Sequence, residues 1–234
     1  MTSEAQAADV DAPRGRGVRG RVAIYSVAAV AVLLVGAAIG MLLTLGVVRP
    51  EPVPDAGSVD VGFAQDMRVH HLQAITMAGQ ARDRSTDPAV RGLAFDIEST
   101  QLDQSGRLAG WLAVWDQPEL PPPGEPHMRW MPAGGGHGGH GSDGAGVPRM
   151  PGMATTEELA KLRSLSGAEL DVYFLQLMLR HHQGGLEMAE FAGANAQTSY
   201  LRTLAGKIAA GQDAESALMR SMLAERGAEP LPFP

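Results

Sequence analysis

The residues with the most chemistry to offer are two pairs of adjacent histidines, His70 with His71 and His181 with His182. A methionine precedes each pair by one helical turn, Met67 or Met178, and another follows two turns on, Met77 or Met188. If the carrying segments are helices, four imidazoles and up to four thioethers converge from two of them. Imidazole nitrogen suits copper, zinc, iron and nickel, and thioether sulfur adds a preference for Cu(I). Copper as Cu(I) is therefore the expected metal, with zinc or another divalent cation as second choice. The chain has no cysteine, which excludes disulfides and thiolate ligands. The diiron pattern of helical bundles is missing too, because no histidine has a glutamate three residues before it. No nucleophile constellation, phosphate loop or nucleotide fingerprint occurs, so an enzyme is not expected.

These motifs belong to a longer repeat at an offset of 111 residues. Asp60, Phe63, Gln65, Met67, His70, His71, Met77 and Ala78 recur as Asp171, Phe174, Gln176, Met178, His181, His182, Met188 and Ala189. The register continues through Arg91 and Arg202, Ile97 and Ile208, Gln101 and Gln212, and Leu112 and Leu223, so the repeat unit is two helices long. Along the first helix, expected over 58–82, Phe63, Met67, His70, Ala74, Met77 and Ala81 step by four and three, the spacing of one buried face. Asp87 and Pro88 read as the cap and first position of the second helix, with Ile97, Gln101, Gln104, Leu108, Trp111 and Trp115 inward. Capping boxes are expected at Thr155 with Glu158, opening a short helix, and at Ser166 with Glu169, opening the third repeat helix to about Ala192. The fourth ends near Gly227, with Ile208, Gln212, Glu215, Met219 and Met222 on its inner face. Each hairpin is too small to bury its own apolar face, so the expected fold is an all-α four-helix bundle built from two duplicated hairpins. Its topology is open, either up-down-up-down or joined by one long crossover.

Further polar residues fall on the same inner faces. Gln101, Gln104, Gln212 and Glu215 are placed to hydrogen-bond the free ring nitrogens of ligating histidines. Gly184 and Gly185, just after the second pair, each cost a helix about 1 kcal/mol relative to alanine, which close helix approach or space for a ligand would offset. Residues 117–154 lack periodicity and read as a flexible connection. They carry an accessory set of soft and borderline donors, His127, His137, His140, Met150 and Met153.

The N-terminal region points to a membrane. Residues 22–48 run for 27 positions without a charge, and a bilayer core needs about 20. Arg14, Arg16, Arg19 and Arg21 precede that run, favouring a cytoplasmic tail over 1–21 and an extracytoplasmic domain beyond the Pro-rich spacer 49–57. The run is longer than the apolar core of a cleaved signal peptide, so an uncleaved single-pass anchor in the cell membrane is expected. The first 21 residues have net charge +1, leaving −8 of the total of −7 for the remainder, which disfavours nucleic acid and suits small cations. The organisation is then repeat one over 58–116, the linker 117–154, repeat two over 155–227, and a tail 228–234.

The pattern D-x-x-F-x-x-x-M-x-x-H-H with a following Met-Ala, the segment MPGM at Met150–Met153, and I-x-x-x-Q in the second helix resemble the domain of unknown function 305 family, some members of which are termed CopM-like. The resemblance spans about 57–227. It implies a ferritin-like helical bundle, often exported or membrane-anchored, with copper binding and copper resistance among some members. By position it points to Met67, His70, His71, Met77, Met178, His181, His182 and Met188, with the methionines of the linker as a variable addition. The expectation is a membrane-anchored, extracytoplasmic copper-binding bundle serving copper homeostasis. Its rivals are a ferritin-like metal-dependent oxidoreductase, and a structural or partner-binding bundle whose His layer is internally satisfied.

Overall fold

The computed structural model describes residues 16–47, 53–132 and 145–233. Residues 1–15 of the tail, Val48 of the apolar run, 49–52 of the spacer, 133–144 of the linker, with His137 and His140, and Pro234 lie outside the described residues. The chain divides into two units, Met1–Pro50 and Glu51–Pro234. The first contains α1, Arg16–Val47, whose stretch Gly20–Leu45 has mean hydropathy 2.5 and no buried residue. A helix of that length and composition fits a membrane span or a signal segment.

The second unit is all helix: α2 (Val59–Arg84), α3 (Pro88–Val114), α4 (Thr156–Ser164), α5 (Gly167–Asn195) and α6 (Ser199–Glu225). Among the described residues there is no strand, only an isolated antiparallel bridge between His127 and Val147 in the linker. Helix starts follow local chemistry in most cases. The Asp87 side chain accepts from Ala89 N, with Pro88 at the first position, and Thr155 and Glu158 form a reciprocal capping box. Ser166 differs from expectation: it stands at the N-cap of α5 but its side chain makes no capping bond.

Helices α2, α3, α5 and α6 form the bundle, and the contacts at their ends fix its topology. Asp60, in the first turn of α2, accepts from Gln197 N at 2.7 Å, Thr198 N at 2.9 Å and Thr198 Oγ at 2.7 Å, where α5 gives way to α6. Helices α2 and α5 are therefore antiparallel. Trp115 Nε1, at the end of α3, donates to Tyr200 Oη at the start of α6, and Arg226 after α6 bonds Asp87 before α3, so α3 and α6 are antiparallel as well. If α2 runs up, α3 and α5 run down and α6 runs up. The segment between α3 and α5 must climb the full bundle, which is the single-crossover arrangement.

That climb follows α2. Gln65 holds Pro118 O and Arg68 holds Glu119 near the base, Gln73 bonds both N and O of Ala154 at mid-height, and Arg84 reaches the carbonyls of Arg163 and Leu165 at the top. The described parts of 117–154 are thus fastened, though without regular structure, because side chains of α2 satisfy a backbone that has no ladder of its own. The core has two apolar clusters, each drawing on all four bundle helices. One contains Met77, Phe174 and Met178, the other Phe63, Met67, Met150 and Met188.

Candidate metal centre

The inner stripe of α2 is buried as its spacing predicts, from Phe63 through Met67, His70, Ala74 and Met77 to Ala81. The same register on α5 buries Phe174, Met178, His181, Gly185, Met188 and Ala192. Where the two helices meet, the His70 and His181 rings lie 3.7 Å apart between centroids, with planes tilted by 35°. His71 and His182 turn off the central stripe but are equally buried, and none of the four has any exposed area. Gln101 and Gln212, buried on α3 and α6, add two amides to the layer. Met67 and Met188 belong to the apolar cluster on one side, Met77 and Met178 to that on the other.

Burial depresses the basicity of His70, His71 and His181. His70 and His181 are held well below the ordinary histidine value, first by loss of water and then by neighbouring imidazoles. His71 is pushed down to about 3 by burial, with the Gln104 side chain pulling the other way. At neutral pH these rings are uncharged and carry lone pairs, the protonation state in which imidazole ligates metal.

Hydrogen bonding leaves the lone pairs free. Seven of the eight ring nitrogens of the four histidines are buried without a hydrogen-bond partner, and so are the side-chain oxygen and nitrogen of both Gln101 and Gln212. Native interiors pair more than about 90% of their buried polar groups, so a whole unpaired layer calls for a ligand or for water. The exception is His182 Nε2, 2.6 Å from Glu215 Oε2. Neutral imidazoles beside buried thioethers fit copper, or zinc as a borderline cation, and do not fit calcium or magnesium, which take oxygen ligands. As the side chains stand, no three His, Cys, Asp or Glu groups among the described residues close on a common ion. His70 and His181 stack instead of meeting edge to edge.

The remaining expected site residues are distributed as follows. Gln104 is half-buried, its place on the inner face of α3 taken by Ser105, and Trp111 likewise yields to Leu112. Glu215 is about one quarter exposed at 23%. Met150 is buried in the core and Met153 packs half-buried against the same cluster. His127 Nδ1 is engaged by Asp66 Oδ1 at 2.7 Å.

Two features escape sequence reasoning. Asp66 is a buried carboxylate that takes His127 Nδ1, Met128 N at 2.7 Å and Trp130 Nε1 at 2.8 Å, clasping the linker to α2. The repeat holds the signal for it, since Asp66 stands in the register of Leu177. The second is the turn Met150–Met153. A Cβ on Gly184 would overlap the Pro151 carbonyl, and the Pro151 backbone reaches His70, so this turn covers the layer on the linker side. Gly184 thus makes room for the turn, while Gly185 makes room for Gln212 and the His70 ring. A groove of about 480 Å³ lies elsewhere, between the start of α2 and the linker around Asp66, Pro122 and Trp130.

Comparison with known proteins gives a consistent picture. A family model described as Domain of unknown function (DUF305) matches residues 60–223. A DUF305 protein from Streptomyces coelicolor is 41% identical, with TM-score 0.67 over 76% of this chain and 100% of that one. A DUF305 fragment from Deinococcus radiodurans is 30% identical, with TM-score 0.57 over 71% of this chain and 96% of that one. CopM in its Cu(I)-bound form shares the fold at 22% identity and TM-score 0.53, over 71% of this chain and 96% of that one, and the same protein is solved in a Cu(II)-bound form. No curated protein matches the chain.

Proposed function

This chain belongs to the DUF305 family, and we propose that within it the protein binds copper, as Cu(I), at the paired MxxHH motifs on the extracytoplasmic face of the membrane, buffering the metal or passing it on. The observation that carries the reading is the layer of four fully buried histidines with seven unpartnered ring nitrogens. A self-satisfied structural layer would have paired those nitrogens internally, since each unpartnered buried group costs about 1–3 kcal/mol. A metal is the ligand that removes the cost and uses the thioethers as well. Met67, His70, His71 and Met77 would contribute from α2, and Met178, His181, His182 and Met188 from α5. CopM, which shares the fold, has been solved with copper in both oxidation states, and this agrees with the reading. The apolar stretch of α1 supports attachment to the membrane, with the arginines before it favouring an inside N-terminus.

The test is anaerobic titration of the full chain in detergent with Cu(I) against a coloured chelator. A variant with His70, His71, His181 and His182 all changed to Ala, checked for helicity, is measured beside it. Tight binding that vanishes in the variant is the expected result. Equal binding by a folded variant overturns the reading and moves any copper handling to the linker.

A further inference from the structure

Of the paired stations of the layer, one differs in charge between the halves. Gln104 on α3 and Glu215 on α6 are equivalent at the repeat offset of 111, and they stand by His71 and His182 respectively. Glutamine and glutamate have nearly the same shape, so the difference is electrostatic and not one of packing. Glu215 Oε2 lies 2.6 Å from His182 Nε2. An ionised carboxylate only accepts, so Nε2 carries the hydrogen and the lone pair of His182 is on Nδ1. That Nδ1 is buried and unpartnered within the layer. An amide can donate or accept, so Gln104 imposes no such choice on His71.

We infer that the two half-sites are unlike, and that Glu215, acting through His182, makes the second one selective for a divalent cation while the first suits Cu(I). The inference rests on reading the imidazole layer as a metal site. A carboxylate behind a ligating imidazole fixes the tautomer and raises its basicity. Its negative charge attracts a divalent ion twice as strongly as a monovalent one at the same distance. Glu215 does not itself need to touch the metal and is a positioning residue.

The experiment uses the metal-free full chain in detergent, with Zn(II) as the divalent probe and Cu(I) in parallel. Wild type is compared with Glu215→Gln, Gln104→Glu and the double exchange, and the tautomer of His182 is read by ¹⁵N NMR. Glu215→Gln is expected to weaken Zn(II) by about 10–100-fold, to weaken Cu(I) by a clearly smaller factor, and to abolish the single Nε2–H signature. Gln104→Glu is expected to strengthen Zn(II) binding, and the double exchange to restore it. Unchanged Zn(II) affinity in Glu215→Gln overturns the inference, as does a parallel loss of Zn(II) and Cu(I), which would make Glu215 structural. Cu(I) binding together with Zn(II) binding that is indifferent to Glu215 removes the inference alone. Glu215-dependent Zn(II) binding without Cu(I) removes the copper reading and keeps the inference.

Discussion

The two halves of the bundle agree along the histidine stripe and disagree on the side that meets the linker. Met67, His70, His71, Met77 and Gln101 have identical partners in Met178, His181, His182, Met188 and Gln212. Next to the crossover the pairing fails, with Gly62 against Tyr173, Asp66 against Leu177 and Gln73 against Gly184. Each departure has a use. Gly62 leaves room for Trp130, Asp66 and Gln73 hold the linker, and Gly184 accommodates its turn. A duplicated hairpin has a two-fold core, but one connection can run along only one of the two faces. Repeat one became the surface that grips it, and repeat two the surface trimmed to let it pass. The matched interior is where the four buried histidines stand.

The largest expected effect comes from the symmetric interior. Burial pushes His71 down to about 3 from an ordinary 6.5, and His70 and His181 are lowered as well. Above about pH 6.5 neither folded nor unfolded chain protonates these groups. Below it the unfolded chain takes up protons that the buried layer refuses, so stability falls as pH drops from 6.5 towards 3. His71 contributes up to about 1.4 kcal/mol per pH unit in that window, and His70 and His181 act in the same direction. Urea denaturation of the metal-free protein at pH 7.5 and 5.5 measures this. His70→Leu and His181→Leu should each remove a similar share, and a flat profile or grossly unequal shares would break the symmetry claimed for the interior.

The next effect probes the asymmetric face. Asp66→Leu writes the residue of repeat two into repeat one and removes the acceptor for His127, Met128 N and Trp130 Nε1. Unpartnered buried donors and lost charge-assisted bonds should cost about 3 kcal/mol or more. Tryptophan fluorescence should report a changed environment for Trp130. A loss below about 1 kcal/mol would mean that the linker is held without this clasp.

The same contrast explains what the sequence disclosed. Periodicity and repeat register were enough to find the helices, the buried stripe and the four histidines, because those features are local or doubled. The course of the crossover was not legible, since it depends on side chains such as Asp66, Gln73 and Arg84 binding a segment without a period of its own. The inner face of α3 was misjudged by one position at Gln104 and Trp111, where Ser105 and Leu112 are buried. The steps were read from the larger residues, and small Ser105 gave no apolar signal. The glycines after the second histidine pair signalled close approach without naming the partner, which proves to be the Pro151 backbone for Gly184 and side chains for Gly185.

That distinction gives a smaller prediction from two chemically identical changes. Gly184→Ala would drive its Cβ into the Pro151 carbonyl, whose backbone cannot rotate away, and should cost about 1–3 kcal/mol as overpacking does. Gly185→Ala, which writes in the Ala74 of repeat one, meets Gln212 Oε1 at 2.6 Å and His70 Cε1 at 2.9 Å. These are side-chain atoms that can shift, and the gain of about 1 kcal/mol in helix propensity offsets part of the cost. Gly184→Ala should therefore be the less stable variant in thermal melts, and the reverse order would place the tight contact on the wrong glycine.

The smallest expected effect separates the helix starts of the two halves. Ser58 caps α2, its hydroxyl accepting from Val61 N at 3.3 Å, whereas Ser166 at the same station of α5 makes no side-chain bond. Helix α5 begins at Gly167, with φ of +55°, three residues earlier in repeat register than α2, which begins at Val59. The extra turn brings in Gly167, where a left-handed backbone suits glycine and sets the entry of the chain without help from the serine. Ser58→Ala should thus cost about 1 kcal/mol, and Ser166→Ala close to nothing. Equal losses in denaturant unfolding would mean that Ser166 does cap α5 in solution, and that the two helices start alike after all.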